Sequence, residues 1–416
     1  MLRNYFGLPK TIYVLCLGTL INRAGSFVII FLTLYLSDEL GFGEAFAAWC
    51  IGFFGAGAIF ASLVGGQLAD QLGRRPVLIG SLLGGAATLV WMSSLETQTE
   101  VAFAVFFFGI VSEMYRPAAM AVLGDVCDEE HRPHAFGLLY VSINLGFALG
   151  AIVGGFLISH FEFHVLFYAD ALTMAAYGVV VFLAIPESAF QNREGGESKA
   201  PARIEVAPLE ALRRISGDAV FLLFCLCCLL NALVFHQMAS TLPLYMKSHG
   251  HSADTYGCLI AVNGGMIVLL QLPVGEFFSR YSRSAAVIAG FVLAAIGFGM
   301  FGLGHGLKLF VLGMAVLTAG EIIQAPFLGA IVTDLAPQEL RGRYQGVFSM
   351  TFSCGLAIGS PIGGEILAKY GGETLWGISF VVCLISAALC LTIRRQIEKS
   401  PPPCEEEEDE VAVATT

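Results

Sequence analysis

Four ionisable residues, Arg23, Glu113, Arg116 and Glu321, stand near the centres of long apolar stretches. A charged side chain at mid-membrane costs at least about 2.5–3.5 kcal/mol on insertion scales, so each is a candidate functional group. Their formal charges cancel. Glu113 and Arg116 are three residues apart, hence on one helix face, and can neutralise one another as an internal pair or serve a solute. Glu321 has no basic residue within a helical turn. Unless Arg23 reaches it, an ionised Glu321 is costly in hydrocarbon, which makes it the first candidate to load a proton on one side and release it on the other. Glu113 is the second. Arg23 can hold the Glu321 carboxylate in one conformation and free it in another. Asn22, Asn231, His236, Gln237 and Gln324 are expected to line the same cavity as Arg23 and Arg116, with Asn144 and Gln271 as further polar lining. The lone His236 fits a satisfied helix contact better than a proton relay.

Other chemistries find no support. The cysteines lie mainly inside apolar segments, and Cys225-x-x-Cys228 has no polar ligands around it, which argues for packing rather than metal binding. A glycine-rich loop ending in Lys-Ser or Lys-Thr, needed for direct ATP drive, is missing from the sequence. The reading is therefore of a protein that is not an enzyme. It needs no cofactor or metal, only the proton as coupling ion, and its partners are a small-molecule substrate and the lipid bilayer, with no nucleic acid.

The elements that must position these residues follow from composition. Of 416 residues, 56% are hydrophobic and 13% charged, against about 45–50% and about 25% in soluble chains. Mean hydropathy is +0.75. Twelve apolar segments recur, at 11–36, 45–68, 77–95, 101–124, 135–159, 164–185, 218–246, 255–278, 284–304, 308–333, 344–369 and 374–393. Crossing the hydrocarbon takes about 20 residues, so each is long enough. The first is too long for a signal-peptide core and lacks a small-residue cleavage site. Twelve crossings put both termini on one side. That side carries 17 of the Lys and Arg residues and the other carries 3. Positive residues concentrate in cytoplasmic loops, so both termini are expected in the cytoplasm, and the chain in a plasma (inner) membrane. The net charge of −11 comes mainly from the acidic residues 405–410 and says nothing about the body.

Residues 187–216 are polar and read as a flexible linker, within which 209–215 can form an amphipathic turn or two. The expected divisions are a six-helix bundle over 1–186, the linker, a second bundle over 217–395 and a disordered acidic tail over 396–416. Sliding the second half over the first by 209 positions gives eleven identities in the 39 positions 117–155. Nine of them fall on Gly, Pro and charged residues, including Pro117/Pro326, Asp125/Asp334 and Arg132/Arg341. Both halves therefore run in the same sense, a symmetry typical of transporters with a substrate site between halves.

The first hairpin reads Gly66-x-x-x-Asp70-x-x-Gly73-Arg74-Arg75. Its glycines permit a tight turn, and its acid and basic pair can latch onto neighbouring helix ends. Asp125 with Arg132, Asp334 with Arg341, and Glu276 with Arg280 are expected to act similarly as an inner gate. Segments 5 and 11 carry stripes of small residues, Gly146, Gly150, Gly154 and Gly155, then Gly355, Gly359, Pro361, Gly363 and Gly364. Such stripes let helices approach closely in lipid.

This pattern resembles the major facilitator superfamily, whose signature between helices 2 and 3 is G-x-x-x-D-x-x-G-R-R. The resemblance spans the whole chain and implies an all-α fold of two parallel six-helix repeats around a cavity lined by helices 1, 4, 7 and 10. The stripe in segment 5 is similar to an element associated with antiporters, with Ala151 in place of its proline. Residues 21–27, Tyr115-Arg116-Pro117-Ala118-Ala119 and Gly320-Glu321-Ile322-Ile323-x-x-Pro326 resemble the multidrug-resistance branch, the drug:proton antiporters. The resemblance implies a monomeric, proton-driven exporter of lipophilic or cationic compounds. A proton-coupled symporter of a small organic anion, held by Arg23 and Arg116, is the alternative.

Overall fold

The computed structural model describes residues 7–127, 132–185, 208–278 and 280–399. Among the described residues twelve helices are long and apolar enough to cross a membrane: Lys10–Glu39, Glu44–Ser62, Arg74–Met92, Gln98–Leu123, Ala135–His160, His164–Ala184, Ala219–Ser240, Ala253–Gln271, Arg283–Phe301, Leu307–Leu335, Arg341–Tyr370 and Gly372–Thr392. We number these spans 1 to 12. The protein is a multi-pass membrane protein, and among the described residues there is no strand. In hydrocarbon every backbone group must be satisfied within the chain, which only helices and closed barrels achieve.

Three spans are interrupted near mid-depth. Span 1 divides into Lys10–Ala24 and Phe27–Leu34, span 4 into Gln98–Glu113 and Tyr115–Val126, and span 7 into Ala219–Phe235 and Gln237–Ser240. Each break adjoins a residue the sequence singled out: Arg23, Glu113 or His236. The break in span 1 is stabilised from span 6, where the Asp170 carboxylate accepts the Val28 N–H at 3.2 Å. Asp170 is buried within the protein beneath the break. Gly25 admits the Thr173 side chain, which any Cβ there would strike.

The small-residue stripes set the closest helix contacts. A Cβ on Gly150 would stand 2.9 Å from the Arg23 carbonyl oxygen, and one on Gly359 would stand 2.5 Å from that of Leu233. Gly146 and Gly154 also face span 1, against Arg23 and Phe31, while Gly355 and Gly363 face span 7, against Ala232 and Gln237. The last glycine of each stripe crosses to the other half: Gly155 meets Asp254 of span 8 and Gly364 meets Ala48 of span 2. Lower on the same seams Gly264 meets Ala148, Gly257 meets Ala151, Gly52 meets Pro361 and Gly55 meets Ala357.

These seams close the side away from the termini. There Lys247 pairs with Asp38, Ser159 donates to Asp254, and the Trp49 indole donates to Glu365 at 3.3 Å. All three contacts join the first six spans to the last six.

On the terminal side, Gly73 takes φ +94° between spans 2 and 3, the left-handed region its lack of a Cβ allows. Arg74 donates to the Ala69 carbonyl at 2.8 Å. Arg75 donates to the Phe182 carbonyl at 2.5 Å and lies over its ring. The expected pairing of Asp334 with Arg341 is not formed. Asp334 pairs instead with Arg283, because spans 9 and 10 pack along their length through Gly290 against Gly320 and Gly297 against Gly313. That packing brings the start of one beside the end of the other. The Arg341 Nε is buried without a hydrogen-bond partner. The side chains of Gly66, Asp70, Asp125, Arg132 and Glu276 lie outside the described residues, and so do the expected contacts they would make.

Residues 186–207 and 400–416, most of the linker and of the tail, also lie outside the described residues. The linker's end forms the helix Pro208–Gly217, with Ala211 and Ile215 buried on one face and Arg213 and Arg214 exposed on the other. The expected tail begins as helix Arg394–Lys399, docked by Ile397 and by a 2.6 Å hydrogen bond from Ser284 to Glu398.

A chain that must open this seam to turn over is arrested by a bridge across it. With S159C and D254C introduced into a cysteine-free background, oxidation is expected to stop transport and reductant to restore it. Full-rate transport by the cross-linked protein would show that the seam does not open.

Candidate functional site

A cavity of about 520 Å³ lies between the halves at mid-depth, walled by spans 1, 4 and 5 on one side and 7, 8, 10 and 11 on the other. Its surface is mostly apolar, with Ile29, Met120, Phe147, Tyr256, Ile260 and Leu356 among the lining residues. The polar groups are few: Arg23, Arg116, Asn144, His236, Asn263 and Glu321, with the hydroxyls of Thr19, Tyr115, Tyr140 and Tyr256. A second cavity of about 390 Å³ shares Met120, Leu139, Tyr140 and Ile143 with the first and continues to Phe136, Gln271 and Pro326. Those residues lie toward the terminal side of spans 5, 8 and 10. The cavity is therefore approached from the terminal side and sealed on the other.

The first wall holds an ion triad. Glu113 pairs with Arg116 at 3.3 Å and with Arg23 at 4.0 Å. Span 4 supplies the first contact by the three-residue spacing; the second needs span 1 to lie alongside, where the stripe of span 5 holds it. Arg23 also stands over the Phe147 ring, 5.3 Å from its centroid, a cation–π contact that offsets part of its desolvation. Behind it a void of about 30 Å³, lined by Asn22, Arg23, Ser112, Glu113 and Asp170, is large enough for water. Beneath the triad, Thr19, Tyr115 and Tyr177 form a hydroxyl chain, with links of 2.6 and 2.8 Å, that ends on the Leu15 carbonyl at 3.0 Å.

The opposite wall holds one carboxyl group. Glu321 accepts a hydrogen bond from the Asn263 amide at 2.9 Å, and that amide also donates to Thr318 at 3.0 Å. Among the described residues Glu321 has no cationic partner. Arg23 does not cross the cavity, because Glu113 on its own wall holds it.

Not every residue expected at the cavity reaches it. Arg23, Arg116, His236, Asn144 and Glu321 do. Asn22 faces the small void instead, and Gln271 lines the second cavity. Asn231 points at Cys383 of span 12. Gln237 donates to the Leu233 and Gly359 carbonyls, at 2.9 and 2.7 Å, in the contact between spans 7 and 11. Gln324 packs on Gly290 of span 9. The last three are corrections: a neighbouring helix supplied a polar partner to Asn231 and Gln237 before the cavity did, whereas Gln324 is turned by close packing against Gly290 and its Oε1 is buried without a hydrogen-bond partner among the described residues. His236 donates from its Nε2 to the Phe352 carbonyl, 3.1 Å away, the helix contact expected of it, while also lining the cavity. Asn263, Thr318 and the Tyr115–Tyr177 pair escaped the sequence reading. Asn263 carried a usable signal, being an amide in an apolar span; the tyrosines carried none.

A cavity between two parallel six-helix halves, closed at one face and reached from the other, defines a membrane transporter. The Major Facilitator Superfamily model matches residues 15–259 and 238–415, and the chain belongs to that family. It is 28% identical to the uncharacterized MFS-type transporter YttB of Bacillus subtilis (strain 168), over 94% of this chain and 97% of that one. It is 24% identical to a Na(+), Li(+), K(+)/H(+) antiporter of Planococcus maritimus, over 87% and 89%. With the multidrug resistance protein MdtH of Aeromonas hydrophila it shares 22% over 86% and 87%. A POT family transporter solved in complex with 5-aminolevulinic acid superposes with a TM-score of 0.79 at 17% identity, covering 95% of this chain and 98% of that one. That likeness is one of fold.

Removing a partner from a buried ion pair costs about 3–5 kcal/mol. Glu113→Ala leaves two guanidinium groups facing one another and should destabilise the solubilised protein by about 3 kcal/mol, read by thermal unfolding. Adding Arg23→Leu should recover half of that or more. A Glu113→Ala protein as stable as the native one would mean the triad is not structural.

Proposed function

We propose that this chain is a proton-coupled secondary transporter that exports lipophilic, cationic small molecules by alternating access. One observation carries the reading: Glu321 stands in a largely apolar cavity with only a neutral amide as its polar partner. A carboxyl group so placed is cheap to keep protonated and expensive to ionise without a cation. Proton and cationic substrate then compete for one group, which is what exchange requires. The antiporter and multidrug resistance protein among its relatives support the assignment of coupling and substrate.

With 17 basic residues on the terminal side against 3 opposite, that side is read as cytoplasmic. The conformation described above is then inward-open. Substrate enters from the cytoplasm and displaces the Glu321 proton. The seams between spans 2 and 11 and between 5 and 8 part to present the substrate outside, and a proton taken up there resets the cycle. Glu113, already held by two arginines, maintains the first wall and is not the coupling acid. The chain acts as a monomer, since each copy holds a complete cavity.

The organic-anion symporter has one observation in its favour: the Arg116 side chain, 63% exposed, lines the cavity. Arg23 is occupied by Glu113, so an anion would find one guanidinium rather than the two expected from the sequence.

The test is substrate-triggered proton movement in everted membrane vesicles. Lipophilic cations should collapse an imposed proton gradient through the native chain, and Glu321→Gln should abolish this, a loss of about tenfold or more. If only anionic solutes move protons, and Arg116→Ala removes that signal, the exporter reading is wrong and the symporter replaces it.

A further inference from the structure

The fixed charges of the cavity sum differently on its two walls. Arg23 and Arg116 share Glu113, and Asp170 stands beside Arg23 across the small void, so a positive charge reaches the cavity only from an arginine turned away from these acids. Which arginine presents it is decided by burial. Arg23 is 13% exposed and covered by Phe147, whereas Arg116 meets Glu113 through its Nε and leaves 63% of its side chain exposed. That charge therefore faces the cavity from Arg116. The opposite wall presents Glu321, backed by Asn263. His236 and the phenols of Tyr115, Tyr140 and Tyr256 are the remaining titratable groups of the lining. Between the charged walls lies apolar surface, with Ile29, Met120, Phe147 and Leu356.

A bare cation suits only half of this arrangement. It can approach Glu321 but shares an apolar space with an exposed guanidinium, and low-dielectric surroundings strengthen that repulsion. An anion suits the other half and is repelled by ionised Glu321. A molecule carrying both signs on an apolar body satisfies both walls.

We propose that the preferred substrate is an amphipathic zwitterion, whose cationic group meets Glu321 and whose carboxylate or similar anionic group meets Arg116. The inference rests on the exporter reading and narrows its substrate class. Arg116 acts as a selectivity residue: it favours the zwitterion through a charge-assisted hydrogen bond and disfavours the plain cation through repulsion. A guanidinium, with its planar fork of donors, can take a carboxylate with two parallel bonds, which an ammonium cannot.

The experiment compares two probes with one skeleton: Nα-dansyl-lysine, which has an ammonium and a carboxylate, and its methyl ester, a plain lipophilic cation. Both are added to everted vesicles of the native chain, Glu321→Gln, Arg116→Gln and Arg116→Lys, with proton movement and probe accumulation as readouts. One charge-assisted bond is worth roughly tenfold or more in affinity. The native chain should therefore show a KM for the zwitterion about tenfold below that for the ester. The ratio should fall towards one in Arg116→Gln and stay between these values in Arg116→Lys. A native chain that takes both probes alike, or prefers the ester, overturns the inference without any variant. So does an Arg116→Gln protein with the native ratio. If the ester moves protons in a Glu321-dependent way with no preference for the zwitterion, the exporter reading stands and only the substrate class falls. If neither probe moves protons, both fall together.

Discussion

One carboxylate shared between two guanidinium groups in the interior of the helix bundle constrains much of this molecule. Glu113 is three residues from Arg116 and reaches Arg23 of another span. Each ion would be costly alone in hydrocarbon. The arrangement is tolerated because the helices bearing it are drawn close: the glycines of span 5 lie against the backbone of span 1 at Arg23 and Ala24. The charge contact and the small-residue stripe therefore depend on one another. Together they hold Arg23 on its own wall and leave Glu321 facing it across the cavity without a cation.

The same logic accounts for the interrupted helices. Backbone that leaves the helical pattern in a membrane must find other partners or line a cavity. The breaks at Gly25-Ser26, Met114 and His236 all adjoin the central space. In span 1 the freed Val28 N–H is taken by Asp170. Asp170 is thus a cap rather than a surface residue. Its carboxylate sits beside the small void behind Arg23, which ties span 6 to the charged wall.

The seams on the far side show how the two halves close. Glycine, alanine and proline meet across them, so the contacts are made by backbone and by the smallest side chains. Such contacts derive little from burial, since lipid is as apolar as a leucine surface, and much from close packing. The polar contacts of Lys247 with Asp38 and of Ser159 with Asp254 lie at the rim, where water can solvate them when the seam parts. A few kcal/mol separate such states in general.

Much of the architecture was legible in the chain itself. Apolar length gave twelve spans, and a 209-residue offset gave two halves of like sense. The cost of charge in hydrocarbon picked out Arg23, Glu113, Arg116 and Glu321. These readings succeed because hydrophobicity and charge act locally, residue by residue. Partner choice is different. Whether Arg23 turns to Glu113 or Glu321, whether Asp334 meets Arg341 or Arg283, and whether Gln237 or Gln324 faces the cavity depend on which helices pack closest. Asn231, Gln237 and Gln324 look like His236 in sequence, yet only His236 reaches the central space. Amide groups at equal depth are equivalent until a neighbouring helix satisfies one of them. The sequence by itself determined which residues must be paid attention as charges in lipid; only the tertiary structure decided their partners, because helix-to-helix distance is a property of two faces and not of either alone.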